Sequence, residues 1–358
     1  MRKLILFLTL ALTALLNADV IKVGSILPLS GEYEFIGKAM VEGMQSSIKD
    51  AGITKHQYKI VFEDSEFKPG QTSLAAQKLV NVDHVDILTS MWGPEASAVG
   101  PISEYRKVPH VANDWDLKWT QSWKYTLDLA MPCDDYAQLQ MKMLRRWGTH
   151  RVAFIYQNSA DWVYAVPYFL DALKKDPSFT LVAEEKFNSP VRDFRTMLMR
   201  VEEAKPDIIV VWSIQPESEI ILRQTRQLGV KTRFTGYYED LDEKALGENM
   251  SFICFTNPDG AFLKTYKEKH GHEAPYSTNV GYDQMSCIIR TYEKFDKKPD
   301  SMTVVNTMKS LEPWAGASGI IRPRADRLIV MPMKIVKYQN GRMIDDPDFA
   351  DLNKELGW

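Results

Sequence analysis

The chain has 358 residues, and its 44 Lys and Arg against 47 Asp and Glu leave a formal net charge of −3. That length holds two ordinary domains. The near balance of charge, with no long basic run, argues against a nucleic-acid partner.

The first residues read as an export signal. Arg2 and Lys3 supply a positive start, and Leu4 to Leu16 form an apolar core too short to span a bilayer comfortably. Leu16-Asn17-Ala18 offers a cleavage site that leaves Asp19 as the mature start, and no cysteine stands near it to carry a lipid. No later apolar run is long enough to cross a membrane. The expectation is an exported, soluble, monomeric periplasmic protein without a cofactor. Of the three cysteines, Cys254 and Cys287 sit among apolar neighbours, and buried free thiols are the favoured reading of all three.

Val20–Leu27 is short, rich in β-branched residues and nearly continuous in apolarity, which predicts a strand covered on both faces. Pro28 stops it, and Pro28, Ser30 and Gly31 form a loop at its carboxyl end. From Gly37 the period changes, and Met40, Val41, Met44, Ile48 and Ala51 fall on one helical stripe that Gly52 ends. A second strand over 58–62, a turn at Lys68-Pro69-Gly70, a helix over 71–81 and a third strand over 85–88 come next. A helix reaching about Lys107 and a short strand over 108–112 continue the alternation, which implies right-handed crossovers and a parallel sheet.

The same rhythm resumes at Arg151. Strands are expected over 151–156, 180–184, 207–212 and 232–235, with helices over 163–175, 193–204 and 216–228. Pro167 marks an irregular place in the first of these helices, and Pro216 stands where the first turn of the last tolerates it. Two α/β runs in series suggest two lobes.

The opening "IKVG…LPLSG" strand and loop, followed by "G…GM" and a helix ending in Asp50-Ala51-Gly52, resembles type I periplasmic solute-binding proteins of the branched-chain amino-acid (Leu/Ile/Val) receptor family. Asn279-Val280-Gly281-Tyr282-Asp283-Gln284-Met285, Ala315-Gly316-Ala317-Ser318-Gly319 and Arg324-Ala325-Asp326-Arg327-Leu328 resemble later motifs of the same family, in the same order. The resemblance implies an α/β fold of two Rossmann-like lobes, with parallel sheets flanked by helices and three hinge crossings. The crossings are expected near 129–133, 255–259 and 326–330. Lobe 1 is then 19–130 with 258–326, and lobe 2 is 131–257 with 327–358.

In open α/β sheets ligands bind beyond the carboxyl ends of the strands, and five loops there are chemically unusual. The family receives a ligand carboxylate in the loop before the third helix, where this chain has Ser90, Trp92, Gly93, Pro94, Glu95 and Ser97. Pro94 removes an N–H donor and Glu95 adds a repelling charge; alternatively Glu95 and Ser97 serve only the first helical turn. Asn113-Asp114-Trp115-Asp116 offers two carboxylates and a flat apolar wall, or an Asp-rich turn that caps the next segment. Asp161 and Trp162 stand where the family closes an aromatic residue on the ligand, unless Trp162 packs under the loop. Gln215 comes after another strand. Tyr238 or Glu239, depending on a one-residue register, stands where the family places an acid for an α-ammonium. Trp92, Trp115 and Trp162 are expected to converge in one interlobe cleft, suited to a cationic, amide or aromatic ligand.

No G-x-S-x-G elbow, phosphate-binding glycine loop or H-E-x-x-H pattern is present, and His270-Gly271-His272 supplies only two metal ligands. The resulting expectation is not an enzyme. It is the periplasmic substrate-binding component of an ABC transporter, taking an amino acid or related solute and docking on an inner-membrane permease. A ligand-sensing module feeding a membrane receptor or kinase is the alternative, and an exported amidase or hydrolase a distant third.

Overall fold

The strand β1 (Val20–Leu27) is buried along nearly its whole length, as its unbroken apolar run requires. It lies in a computed structural model that describes residues 19–159, 162–238, 241, 243–254 and 259–356. The export signal expected over 1–18 and most of the second crossing, at 255–258, lie outside the described residues.

The chain divides into two compact units, Met1–Ala130 with Pro258–Met331 and Met131–Asn257 with Pro332–Trp358. The third boundary therefore falls after Met331 rather than after Asp326. Leu328–Val330 pair in parallel with Asp128–Ala130, so hydrogen bonding holds them in the first unit.

In the first unit, β1 pairs with β2 (Gln57–Asp64) on one side and β3 (Ile87–Thr89) on the other. Then come β4 (His110–Ala112), β5 (Thr126–Ala130) and β13 (Leu328–Val330), all parallel. An antiparallel hairpin, β11 (Trp314–Gly316) and β12 (Gly319–Pro323), completes the edge. The helices α1 (Glu34–Ala51), α2 (Pro69–Asn81) and α3 (Trp92–Arg106) connect the first four strands. Pro69 opens α2 rather than belonging to a turn before it, in keeping with proline's fixed φ. Ile26, Leu79, Leu88 and Val99 share one buried cluster.

The α4 helix (Lys118–Ser122) and β5 are not among the expected elements; both are short and rich in polar residues. The α10 helix (Thr278–Tyr292) lies against α1 at backbone contact. A Cβ on Gly43 would collide with the Thr278 carbonyl, and one on Gly281 with the Met40 carbonyl. Asp283 on α10 accepts bonds from Ala317 N at 2.7 Å and Ser318 N at 2.9 Å, and Asn279 Nδ2 donates to Ser318 Oγ at 2.8 Å. Two of the motifs that carry the family resemblance are thus bonded to each other.

The second unit holds a parallel sheet of β7 (Thr180–Phe187), β6 (Arg151–Gln157), β8 (Ile208–Trp212) and β9 (Arg233–Gly236). A separate antiparallel sheet joins β10 (Ser251–Cys254), β14 (Lys334–Gln339) and β15 (Arg342–Asp345). The α5 helix (Cys133–Arg146), also absent from the expected elements, has acids in its first turn and arginines in its last, as its dipole favours. The α6 helix (Val166–Lys175) begins three residues later than expected, so Pro167 sits in its first turn. The helices α7 (Arg195–Glu203) and α8 (Glu217–Gln227) keep closely to their expected spans. All three cysteines are buried.

Candidate functional site

The loops at the carboxyl ends of β1 to β4 are tied to one another in the first unit. Asp64, the last residue of β2, accepts bonds from Leu29 N at 2.8 Å and Ser30 Oγ at 2.6 Å in the loop after β1. Ser65 Oγ donates to Glu95, whose other carboxylate oxygen accepts Met91 N at 2.9 Å. Trp92 N donates to Asn113 O at 2.6 Å, linking the loop after β3 to that after β4. Three half-buried rings from these loops, Tyr33, Phe67 and Trp92, lie within 5.6 Å of one another, centroid to centroid.

Several residues expected at a ligand are committed to this scaffold instead. Ser90 is fully buried, with its hydroxyl 2.8 Å from His110 Nε2 and its carbonyl accepting Gln284 Nε2 at 3.0 Å. Glu95 is fully buried as a brace between the loops after β2 and β3, and burial outweighs its hydrogen bonds to push its carboxyl up to about 8. Ser97 bonds back to Pro94 O at 2.7 Å and serves the first turn of α3. Asn113 Nδ2 donates to Leu129 O at 2.6 Å.

The Asp114–Asp116 loop is likewise turned inward. Asp114 accepts Trp119 Nε1, its own N–H donates to Asp128 Oδ1 at 2.9 Å, and burial raises its carboxyl to about 7. Asp128 is pushed well above the ordinary range, first by burial and then by the charge of Asp114. Asp116 is buried and paired with Lys118 Nζ at 2.9 Å. Trp115 is half-buried. Of the two readings left open for this loop, the inward one fits its bonds: Asp114 holds the α4 segment through the Trp119 indole, and Asp116 pairs with Lys118.

In the second unit the strand-end loops also meet. Gln157 Oε1 at the end of β6 accepts Ile214 N at 3.2 Å and Ser213 Oγ at 3.3 Å. Trp162 stacks on Trp212 at 5.5 Å and meets Tyr237 edge-on at 5.4 Å, with Tyr136 at 6.4 Å. It is 1% exposed, so the ring expected to close on a ligand is enclosed by rings of its own unit. Trp92 and Trp162 thus stand in separate ring clusters in separate units. Gln215 Nε2, just before α8, reaches Glu219 Oε2 in its first turn at 3.1 Å. Tyr238 lies in the second unit's hydrophobic cluster with Tyr338, whose hydroxyl donates to the Tyr238 carbonyl at 2.9 Å. Side chains alternate along extended backbone, so Tyr237, not Tyr238, reaches Trp162. Asp161 and Glu239 lie outside the described residues.

The residues that sequence reasoning missed are Tyr33, Ser65 and Phe67 in the first unit and Tyr136, Gln157, Trp212 and Tyr237 in the second. The rule that ligands bind beyond strand ends, applied to β1 and β2 as well, would have reached the first three. The Ser90–His110 pair resembles a nucleophile with its base. Both side chains are fully buried, however, His110 Nδ1 faces Thr126 Oγ1 at 3.3 Å rather than a carboxylate, and burial lowers the imidazole to about 3. That arrangement does not activate a hydroxyl.

Comparison with known proteins agrees with the fold. A family model described as periplasmic binding protein matches residues 20–342. The chain belongs to that family. It is similar to Leu/Ile/Val-binding protein homolog 7 of Brucella abortus, at 22% identity with 94% of each chain covered. Among solved structures it is similar to the leucine binding protein LivK of Thermotoga maritima, at 21% identity and a TM-score of 0.77, covering 91% of this chain and 97% of that one. It is also similar to a solute binding protein of an ABC transporter from Rhodopseudomonas palustris, solved with 3,4-dihydroxybenzoic acid. That likeness has 20% identity, 91% and 96% coverage and a TM-score of 0.76. The fold is therefore that of type I periplasmic binding proteins, and the family is one of substrate-binding proteins rather than enzymes. No helix among the described residues is long and apolar enough to cross a membrane.

Proposed function

We propose that this protein is the periplasmic solute-binding component of an ABC uptake system. It takes an amino acid or a related small polar or aromatic solute on its strand-end loops and passes it, unaltered, to an inner-membrane permease. The observation that carries the reading is the bonded convergence of the loops after β1 to β4, with a partly exposed ring cluster at their meeting point. Ligand sites of open α/β sheets form at such strand ends. The relatives support the solute range: one is a leucine binding protein, and another was solved with an aromatic acid.

A thermal-shift screen of the mature protein against amino acids, amides, aromatic acids and quaternary amines tests the proposal. A solute that binds only the folded state raises the midpoint with the logarithm of its concentration. Mass spectrometry of the released solute then shows whether it is unchanged. No stabilising compound in those classes, or a chemically altered one, defeats the proposal.

A further inference from the structure

Three rings from three different loops meet in the first unit. Tyr33 lies after β1, Phe67 after β2, and Trp92 opens α3. Their centroids are 4.6 Å apart for Tyr33–Phe67, 5.6 Å for Tyr33–Trp92 and 5.5 Å for Phe67–Trp92, the last two edge to face. Rings of this size normally complete a core. These three stay half-exposed, while Leu79, Leu88 and Val99 form a buried core in the same unit.

The backbone beneath them is unusual too. Glu66, Phe67 and Trp92 have φ of 49°, 57° and 51°, in the left-handed region that bulky side chains avoid. Specific bonds hold them there. Phe67 N donates to Ser65 Oγ at 3.1 Å, Ser65 Oγ donates to the buried Glu95, and Glu95 accepts Met91 N. Trp92 N is held by Asn113 O. Strained conformers that persist because their surroundings determine them gather where a protein meets a ligand.

The positive end of α3 lies directly behind Trp92, yet its capacity for an anion is reduced. Met91 N serves Glu95, Trp92 N serves Asn113, and Pro94 has no N–H. Aromatic surface stands in front of what donor capacity is left.

We propose that Tyr33, Phe67 and Trp92 form the specificity wall of the solute site, so that the preferred solute carries an aromatic ring. This rests on the solute-capture reading under Proposed function. Edge-to-face and offset ring pairs gain beyond the area they bury, an advantage a branched aliphatic side chain lacks.

Titration calorimetry on the mature full-length protein tests it, with benzoate, 4-hydroxybenzoate, phenylalanine, leucine and isoleucine as probes. At least one ring-bearing probe is expected to bind at least tenfold more tightly than leucine or isoleucine. Trp92→Leu and Phe67→Leu are each expected to weaken that probe tenfold or more, with circular dichroism unchanged, while Trp92→Phe stays within threefold of the parent. Tighter binding of leucine or isoleucine than of every ring-bearing probe overturns the wall and leaves solute capture standing. So does an affinity for the ring probe that neither leucine variant moves. Failure of all five probes to bind overturns the wall, while the reading beneath it falls only if the wider thermal-shift screen also finds no stabilising solute.

Discussion

Replacing Glu95 by glutamine isolates one buried carboxyl at the junction of the loops after β2 and β3. In the folded chain this group is raised from 4.5 to about 8, because burial penalises the charged form more than the bonds from Ser65 and Met91 favour it. A raised folded-state value contributes stability that is complete below 4.5 and is lost as pH climbs towards 8. The loss is about 1.4 kcal/mol for each pH unit in that interval, or on the order of 5 kcal/mol across it. Glutamine keeps the shape, can accept the Met91 N–H and can donate to the Ser65 hydroxyl, yet never ionises. Urea unfolding of the parent and Glu95→Gln at each pH from 5 to 9 measures the difference. The two are expected to lie within about 1 kcal/mol at pH 5 and to diverge in favour of the variant up to pH 8. Burial also raises Asp114, Asp128 and Asp283, so the parent and the variant share a residual fall of the same sign. Parallel curves, or a variant weaker than the parent at pH 8, would refute the assignment of Glu95 as a buried, mostly neutral brace.

The ring enclosure of Trp162 makes Trp162→Ala a core substitution, expected to cost about 3–5 kcal/mol of stability, read from the urea midpoint. A midpoint equal to the parent's would mean that the ring packs against nothing. Asp283→Ala strips the acceptor from the buried N–H groups of Ala317 and Ser318, at about 1–3 kcal/mol each. Hydrogen exchange at residues 317 and 318 is expected to accelerate more than in the flanking strands β11 and β12, and an equal change throughout would contradict it.

Most of the alternation of strands and helices could be read from the chain because long apolar stripes carry it: Val20–Leu27, the α1 face, Ile208–Trp212. The elements that escaped are those whose apolar period is short or diluted. The α4 segment Lys118–Ser122 has five residues. The β5 strand carries the buried Asp128 and Thr126 in a run of five. The site was less legible. A residue's place in a loop after a strand says where its backbone lies, not whether its side chain turns towards solvent or into the scaffold. Ser90, Glu95, Asn113 and Asp114 all lie in the expected loops and all turn inward, because each finds a partner more than ten residues away in sequence, or a buried N–H to satisfy. Tyr238 was lost to the alternation of extended backbone, which one residue's shift reverses. The resemblance of the Asn279–Met285 and Ala315–Gly319 motifs to those of a known family held physical content that spacing could not reveal, since Asp283 and Asn279 grip the hairpin turn directly.

The glycine contact of α1 with α10 has a consequence for biogenesis. The helix that needs Gly281 beside Gly43 waits for a partner synthesised more than two hundred residues later. Residues 131–257 are made in the interval, so their sheet can assemble while the amino-terminal one still lacks β13 and the α10 cover. Such distant pairing is slow to form. A nascent or truncated chain ending before Thr278 would leave the Gly43 face of α1 bare, a natural handle for chaperones and a natural target for quality-control proteases.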